Sequence, residues 1–357
     1  MSNPIRVLVI DDSALMRKII PQMVEKDAGI QVVGTAMDGE FGLKKIEELT
    51  PDVVTLDLEM PRMDGMETLR QITKRSKVPV IIVSSYSTEG ASATFKALAL
   101  GAIDFVAKPR ESGHAQMTEI AEQLIAKIKV AAGTRLHPPL KSVPSFLEPT
   151  KVTKPSARPN APATKIVAIG ISTGGPNALQ FLLSQLPANF PGGIVIVQHM
   201  PTGFTEMFAK RLNDCCSIEV KEAHSGDLVL AGRALICPGN RHIRIKRMPL
   251  GSMVVLNDDA PVNGHRPSCD VLFHSVAAEW GQNSIGIIMT GMGEDGADGL
   301  YAMRAAGALT IAQDEESCVV YGMPKAAVER GAVQRTVQLD LISNALLVHC
   351  QPERVVQ

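Results

Sequence analysis

A serine set among glycines closes an apolar run in "KIVAIGISTGGPNAL", Lys165 to Leu179. Gly170-Ile171-Ser172-Thr173-Gly174 fits the G-x-S-x-G pattern, whose small flanking residues allow a tight strand-to-helix turn presenting a nucleophilic hydroxyl. A glycine-rich cradle for a phosphate would use the same elements. The dinucleotide fingerprint G-x-G-x-x-G fails, because Ser172 stands where its second glycine belongs. The next apolar run, "GIVIVQH", ends at His199 rather than at an acid that could hold a ribose. The balance moves toward nucleophilic chemistry.

A serine nucleophile needs a base, and a histidine base needs an acid to orient it. His199 is preferred because it ends a central-looking strand, on the same sheet edge as Ser172. His265, in the loop "NGHRPSCD" before a helix start, is the competitor, whereas His274 lies within a helical pattern and His349 near the C-terminus. For the acid, "SIGIIMTGMGEDGADG" runs a buried strand into a glycine-rich turn holding Glu294, Asp295 and Asp298. Spacing does not separate the three, although position in the turn favours 294 or 295. The order Ser, His, acid differs from that of α/β-hydrolases, so the fold need not be theirs. Thr173, following the serine, would offer its main-chain N–H to an oxyanion, and the "TGMGEDG" turn could supply a second donor.

The first half of the chain carries a different chemistry. Asp11 and Asp12 follow its first apolar run, Asp57 the third, Ser84 the fourth and Lys108 the fifth. Ligands of open α/β sheets bind beyond the carboxyl ends of the strands, which is where these residues fall. Converging carboxylates repel unless a hard cation joins them, and Mg²⁺ takes one or two carboxylates with phosphate and water. Lys108 and Ser84 would then contact phosphoryl oxygens, with Asp57 as the acceptor of an acyl phosphate. Taken singly, an aspartate could be a helix cap and Lys108 a solvated loop residue. Jointly, five such residues at four strand ends point to a site.

The elements that must position these residues alternate regularly. Before residue 133, "RVLVI", "QVVGTA", "DVVTL", "VPVIIVS" and "AIDFVA" alternate with five helical patterns, predicting a parallel sheet covered on both faces. From Gly133 to Lys165, seven of 33 residues are proline and six Lys/Arg face one Glu, so regular structure is not expected there. Beyond it, "KIVAIGI", "GIVIVQH", "SIGIIMT" and "ALTIAQD" read as buried strands between helices. "RALICPG", "HIRIKR" and "SMVVLND" read as shorter, more antiparallel strands. The expected architecture is α/β throughout: a flavodoxin-like (βα)5 unit at 1–132, a proline-rich basic linker at 133–164, and a doubly wound, mostly parallel unit with an antiparallel edge at 165–357.

At 357 residues, 45% apolar, 20% charged and net charge −1, the chain reads as an ordinary globular protein. No strongly basic domain or helix-turn-helix pattern points to nucleic acid, and no uninterrupted apolar run is long enough to span a bilayer, so no membrane insertion is expected. Six scattered cysteines without a C-x2-C pair suit reduced thiols in the cytoplasm.

"VIDDS", "LDLEMPRMDG", "IIVSS" and "GAIDFVAKP" make residues 5 to 130 resemble the receiver domain of bacterial two-component response regulators. The resemblance implies that a histidine kinase phosphorylates Asp57. It also implies that Asp12, Asp57 and the main-chain carbonyl of Glu59 bind Mg²⁺ with help from Asp11, and that Ser84 and Phe105 are switch residues. "GISTGGP", "VQHMP", "HRPSCDVLFHS" and "TGMGEDGADG" behind such a receiver resemble the chemotaxis protein-glutamate methylesterases. That resemblance implies Ser172 as nucleophile, His199 as base, Asp295 as acid, main-chain oxyanion donors at Thr173 and Met292, and no cofactor for the ester chemistry. It further implies glutamyl methyl esters and certain glutamines of chemoreceptors as substrates, at cytoplasmic receptor arrays, with phosphorylation relieving a block by the receiver. A response regulator whose second half binds a nucleotide or other anion without hydrolysis is the alternative.

Overall fold

The computed structural model describes residues 3–85, 87–108, 114–133, 161–249 and 251–351. They fall into two compact units, divided after Glu148, and each is described by itself. Most of the expected linker lies outside the described residues. Its last residues run along the second unit: Pro162 bridges Leu230, and the Thr164 hydroxyl donates to the Pro191 and Cys350 carbonyls.

In the first unit, strands β1 (Ile5–Ile10), β2 (Ile30–Ala36), β3 (Val53–Leu56), β4 (Val80–Ser84) and β5 (Asp104–Ala107) form one parallel sheet in the order β2-β1-β3-β4-β5. Helices α1 (Met16–Val24), α2 (Gly39–Leu49), α3 (Gly65–Arg75), α4 (Thr88–Ala99) and α5 (His114–Gly133) make the crossovers. Strands β3, β4 and β5 are buried at every residue, as expected where helices cover both faces. Met16, Ile20 and Met23 of α1 join Ile120, Leu124 and Ile128 of α5 over Val7, Val9, Val53 and Val83. Pro21 sits inside α1 without ending it, and its carbonyl still accepts the Glu25 N–H. Asp38 and Asp64 cap α2 and α3 by accepting the Phe41 and Glu67 N–H groups.

The second unit has a seven-stranded sheet in the order β14-β13-β12-β6-β7-β9-β8, parallel throughout. Its strands are β6 (Ile166–Ile171), β7 (Gly193–Gln198), β8 (Glu219–Glu222), β9 (Arg233–Ile236), β12 (Ser284–Ile288), β13 (Leu309–Gln313) and β14 (Arg335–Val337). Strands β10 (His242–Met248) and β11 (Gly251–Asn257) form a separate antiparallel pair. Arg233–Ile236, expected among the antiparallel strands, instead pairs parallel with β7, because α7 (Phe204–Cys215) and β8 return the chain to the starting edge. The antiparallel part is therefore the β10–β11 pair rather than a sheet edge.

The remaining helices are α6 (Gly175–Ser184), α8 (Cys269–Trp280), α9 (Ala297–Ala305), α10 (Met323–Glu329) and α11 (Leu339–His349). Ile166, Ala168, Val195 and Val197 face a core shared with α8, α9, α10 and the β10–β11 pair. The alternate residues Val167, Ile169, Ile194 and Ile196 are also fully buried, so the sheet is covered on its other face. Each such side chain contributes about 1.5–3 kcal/mol on burial, which makes β6 and β7 a rigid base for the turns at their carboxyl ends. Chain order reverses at β6: β7, β9 and β8 lie to one side, and β12, β13 and β14 to the other. Among the described residues no helix is long and apolar enough to cross a membrane.

Candidate active site and acidic pocket

The reversal at β6 opens the crevice in which open α/β sheets hold ligands. Ser172 follows β6 directly, and His199 follows β7, one residue beyond the register pair Ile171–Gln198. The His199 N–H donates to the Ile171 carbonyl and the Ser172 N–H to that of Thr290, so both flanking strand ends are tied to the serine turn. Gly174 takes φ +76°, and a β-carbon there would meet Val319 at 2.6 Å. Gly291 is also obligatory, because its β-carbon would lie 2.8 Å from that of Ser172. Gln198 steadies the turn from below by donating through Nε2 to the Ser172 carbonyl.

Asp295 leaves the β12 turn and enters the N-terminus of α8. Its Oδ2 lies 2.8 Å from His199 Nε2 and 2.7 Å from the Cys269 N–H; its Oδ1 accepts from Ser268 Oγ at 2.6 Å and from the Asp270 N–H at 3.3 Å. Burial alone would raise its pKa, but His199, the Ser268 hydroxyl and the Cys269 N–H together hold it well below the usual carboxylate range. With Nε2 facing a carboxylate, the proton of His199 sits there and Nδ1 is the acceptor. That Nδ1 is buried and has no hydrogen-bond partner, so it is not bonded to the Ser172 hydroxyl. Among the described residues, the main-chain N–H groups of Thr173 and Met292 also find no acceptor.

The other sequence candidates occupy different places. The His265 ring stacks on that of His199, with centroids 4.1 Å apart and planes within 6°. Burial, and then the neighbouring His199, pushes its pKa down to about 4, so it faces His199 as a neutral ring. Glu294 and Asp298 are exposed and both face Arg330. His224 and His274 are exposed, and His349 lies against Arg335. Of the three acids in the turn, only Asp295 touches a histidine.

In the first unit, Asp11 and Asp57 are buried at the ends of β1 and β3, with Asp12 exposed beside them. Lys108 Nζ lies 2.7 Å from Asp57 Oδ2 and 3.1 Å from Asp11 Oδ2. Burial raises the Asp57 pKa to about 6 despite Lys108. Ser84, at the end of β4, is turned to the Gly90 carbonyl and the Thr94 hydroxyl. Phe105 is buried edge-on against Phe95.

A family model described as CheB methylesterase matches residues 167–346, and one described as response regulator receiver domain matches residues 7–120. The protein-glutamate methylesterase/protein-glutamine glutaminase 2 of Koribacter versatilis is 62% identical over 357 residues, spanning 99% of this chain and 98% of that relative. The chain belongs to the protein-glutamate methylesterase/protein-glutamine glutaminase family. The relative so named in Halalkalibacterium halodurans is 44% identical across 98% of this chain and 100% of its own. The crystal structure of the Thermotoga maritima CheB methylesterase catalytic domain is 39% identical and superposes with a TM-score of 0.51, covering 52% of this chain and 98% of that one.

In this methylesterase, sequence reasoning missed the groups that hold Asp295. Ser268 and Cys269 stand in "HRPSCD", the stretch that holds His265, and a serine before an apolar helix is a visible N-cap signal. Among the described residues, two clusters offer donor atoms close enough for a metal. His199, Cys269 and Asp295 form one, but burial pushes the Cys269 thiol far up, so it stays protonated and is a poor ligand. In the receiver unit, oxygens of Asp11, Asp12 and Asp57 lie within 4.8 Å of one another, and Asp11 Oδ2 is buried with the Lys108 ammonium 3.1 Å away. This all-oxygen, acidic set fits Mg²⁺.

Proposed function

We propose that this family member hydrolyses γ-glutamyl methyl esters on chemoreceptors to glutamate and methanol, and deamidates specific receptor glutamines with release of ammonia. The observation that carries this reading is the pairing of His199 Nε2 with the buried Asp295, which leaves Nδ1 unpaired as the basic nitrogen that would serve Ser172. Ser172 Oγ attacks the ester carbonyl while Nδ1 takes its proton, and the charged ring is stabilised by the ionised Asp295. The oxyanion turns to the main-chain N–H groups of Thr173 and Met292. Collapse breaks the ester C–O bond, and Nδ1–H protonates the departing methoxide. Water, deprotonated at Nδ1, then attacks the acyl-serine; carboxylic acid leaves and the hydroxyl is restored. A non-hydrolytic anion-binding output would leave the His199–Asp295 pair without a use.

The receiver unit accepts a phosphoryl group from a histidine kinase on a carboxylate oxygen of Asp57. Asp11, Asp12, Asp57 and the Glu59 carbonyl would hold Mg²⁺, which when bound neutralises charge on phosphoryl oxygens. Lys108 leaves its contact with the Asp57 carboxylate for a phosphoryl oxygen. Ser84 reaches another only by giving up its bond to the Gly90 carbonyl, which couples phosphorylation to the start of α4. Phe105, packed on Phe95 of α4, is placed to follow that movement. The result is a rise in esterase activity at cytoplasmic receptor arrays. Methanol release from methyl-labelled receptor membranes, with and without acetyl phosphate and Mg²⁺, tests it. Stimulation of the wild type but not of Asp57→Asn is expected; equal stimulation of both contradicts it.

A further inference from the structure

His242 is a buried histidine that the ester chemistry does not use. It opens β10 and is wholly enclosed. Its Nδ1 accepts the Ser268 main-chain N–H at 3.2 Å, and its Nε2 lies 3.1 Å from the Ala260 carbonyl oxygen. An accepting nitrogen carries no proton, so Nε2 carries it and donates to Ala260. The ring thus ties together the two ends of the loop that brings His265 over His199.

Ser268 is the N-cap of α8, yet its side chain makes no capping bond to that helix. The hydroxyl is turned instead to Asp295 Oδ1, and the Cys269 and Asp270 N–H groups, which a helix start leaves unpaired, converge on the same carboxylate. A carboxylate held by His199 alone could turn about its two side-chain bonds. Donors on both oxygens fix its rotation.

We propose that His242 and Ser268 are positioning residues for the esterase: His242 fixes the main chain at the start of α8, and Ser268 there sets the place and rotation of Asp295, and through it of His199. The proposal rests on the reading of Asp295 as the acid that orients the base.

The test is the pH dependence of kcat/KM for methanol release by the full chain. Among the described residues, the titratable groups in contact with the His199 ring are Asp295, Cys269 and His265. Burial pushes the Cys269 thiol far up and His265 down to about 4, so the acid limb reports the His199–Asp295 pair. Ser268→Ala is expected to lower kcat by about tenfold, the worth of one hydrogen bond to a charged group. Its acid limb moves to higher pH, because Asp295 loses a donor and becomes a stronger acceptor for His199. His242→Asn places an amide oxygen near the Nδ1 position, whereas His242→Gln restores only the donor to Ala260. The asparagine variant should retain about fivefold more activity than the glutamine variant. Thermal melts establish that each variant is folded, and Ser268→Ala decides alone where a His242 variant is not. Wild-type kcat and limb in Ser268→Ala, with Asp295→Asn inactive, overturns the positioning proposal only. Equal losses in both His242 variants with no displaced limb reduce His242 to packing and overturn its part. An active Asp295→Asn overturns the reading beneath.

Discussion

His199 Nε2 and Asp295 Oδ2 lie 2.8 Å apart, a contact that commits one ring nitrogen to a buried carboxylate and leaves the other without a hydrogen-bond partner. The two residues come from the ends of β7 and β12, strands that flank β6 on opposite sides. His199 and Asp295 therefore converge across the strand that carries Ser172.

Replacing the acid tests this contact. Asp295→Asn keeps the shape but presents an amide that cannot match His199, Ser268 and Cys269 at once, and it favours the wrong tautomer of the base. A fall in kcat of roughly 10³–10⁴-fold is expected in methanol-release assays. The folded pKa of Asp295 is depressed, so its contribution to stability is present above the ordinary carboxylate range and is lost as pH falls below it. Acid unfolding of the methylesterase unit, followed by amide exchange in β12, should accordingly depend less steeply on pH in Asp295→Asn.

Asp57 shows the opposite sign. Its pKa is raised to about 6 by burial, so the protonated form is favoured in the folded receiver unit. Stability from this group is full below the unfolded carboxylate value and is lost as pH rises through about 6. The loss is on the order of 3 kcal/mol for a shift of about two units. The opening free energy from hydrogen exchange of β3 amides in the full chain, with the intrinsic pH dependence of exchange divided out, should fall across that window in the wild type and stay flat in Asp57→Asn. Phosphorylation by acetyl phosphate should rise over the same window, since only the carboxylate is nucleophilic.

Gly291→Ala tests the closeness of the oxyanion turn to the nucleophile. The new β-carbon would stand 2.8 Å from that of Ser172 and 3.2 Å from its main-chain nitrogen. The Met323 side chain can yield, but the serine turn cannot without losing its main-chain bond to the Thr290 carbonyl. A stability loss of about 1–3 kcal/mol is expected by thermal melt. A larger relative loss in kcat than in KM would show that the turn, not substrate binding, is displaced.

Much of this is legible in the residues, and unevenly so. The long apolar runs "KIVAIGI" and "GIVIVQH" mark buried parallel strands because both faces of each are covered. Strands β8, "EVKE", and β14, "RTV", leave no such mark, since short edge strands with polar residues carry no apolar run. Arg233–Ile236 reads as antiparallel because its short length hides the crossover that precedes it. At the site, strand ends place Ser172 and His199 together, yet spacing leaves Glu294, Asp295 and Asp298 open. That choice turns on which side chain meets the start of α8, a contact between segments about 25 residues apart that no local pattern encodes. The stack of His265 on His199 is hidden for the same reason: in the sequence His265 looks like a rival of His199 rather than its neighbour.

The most direct measurement of the central claim is methanol release from methyl-labelled receptor membranes by the full chain, comparing the wild type with Ser172→Ala at equal folded concentration. The account expects steady release by the wild type and none above the uncatalysed background with Ser172→Ala. Release by Ser172→Ala at a rate near that of the wild type would contradict it.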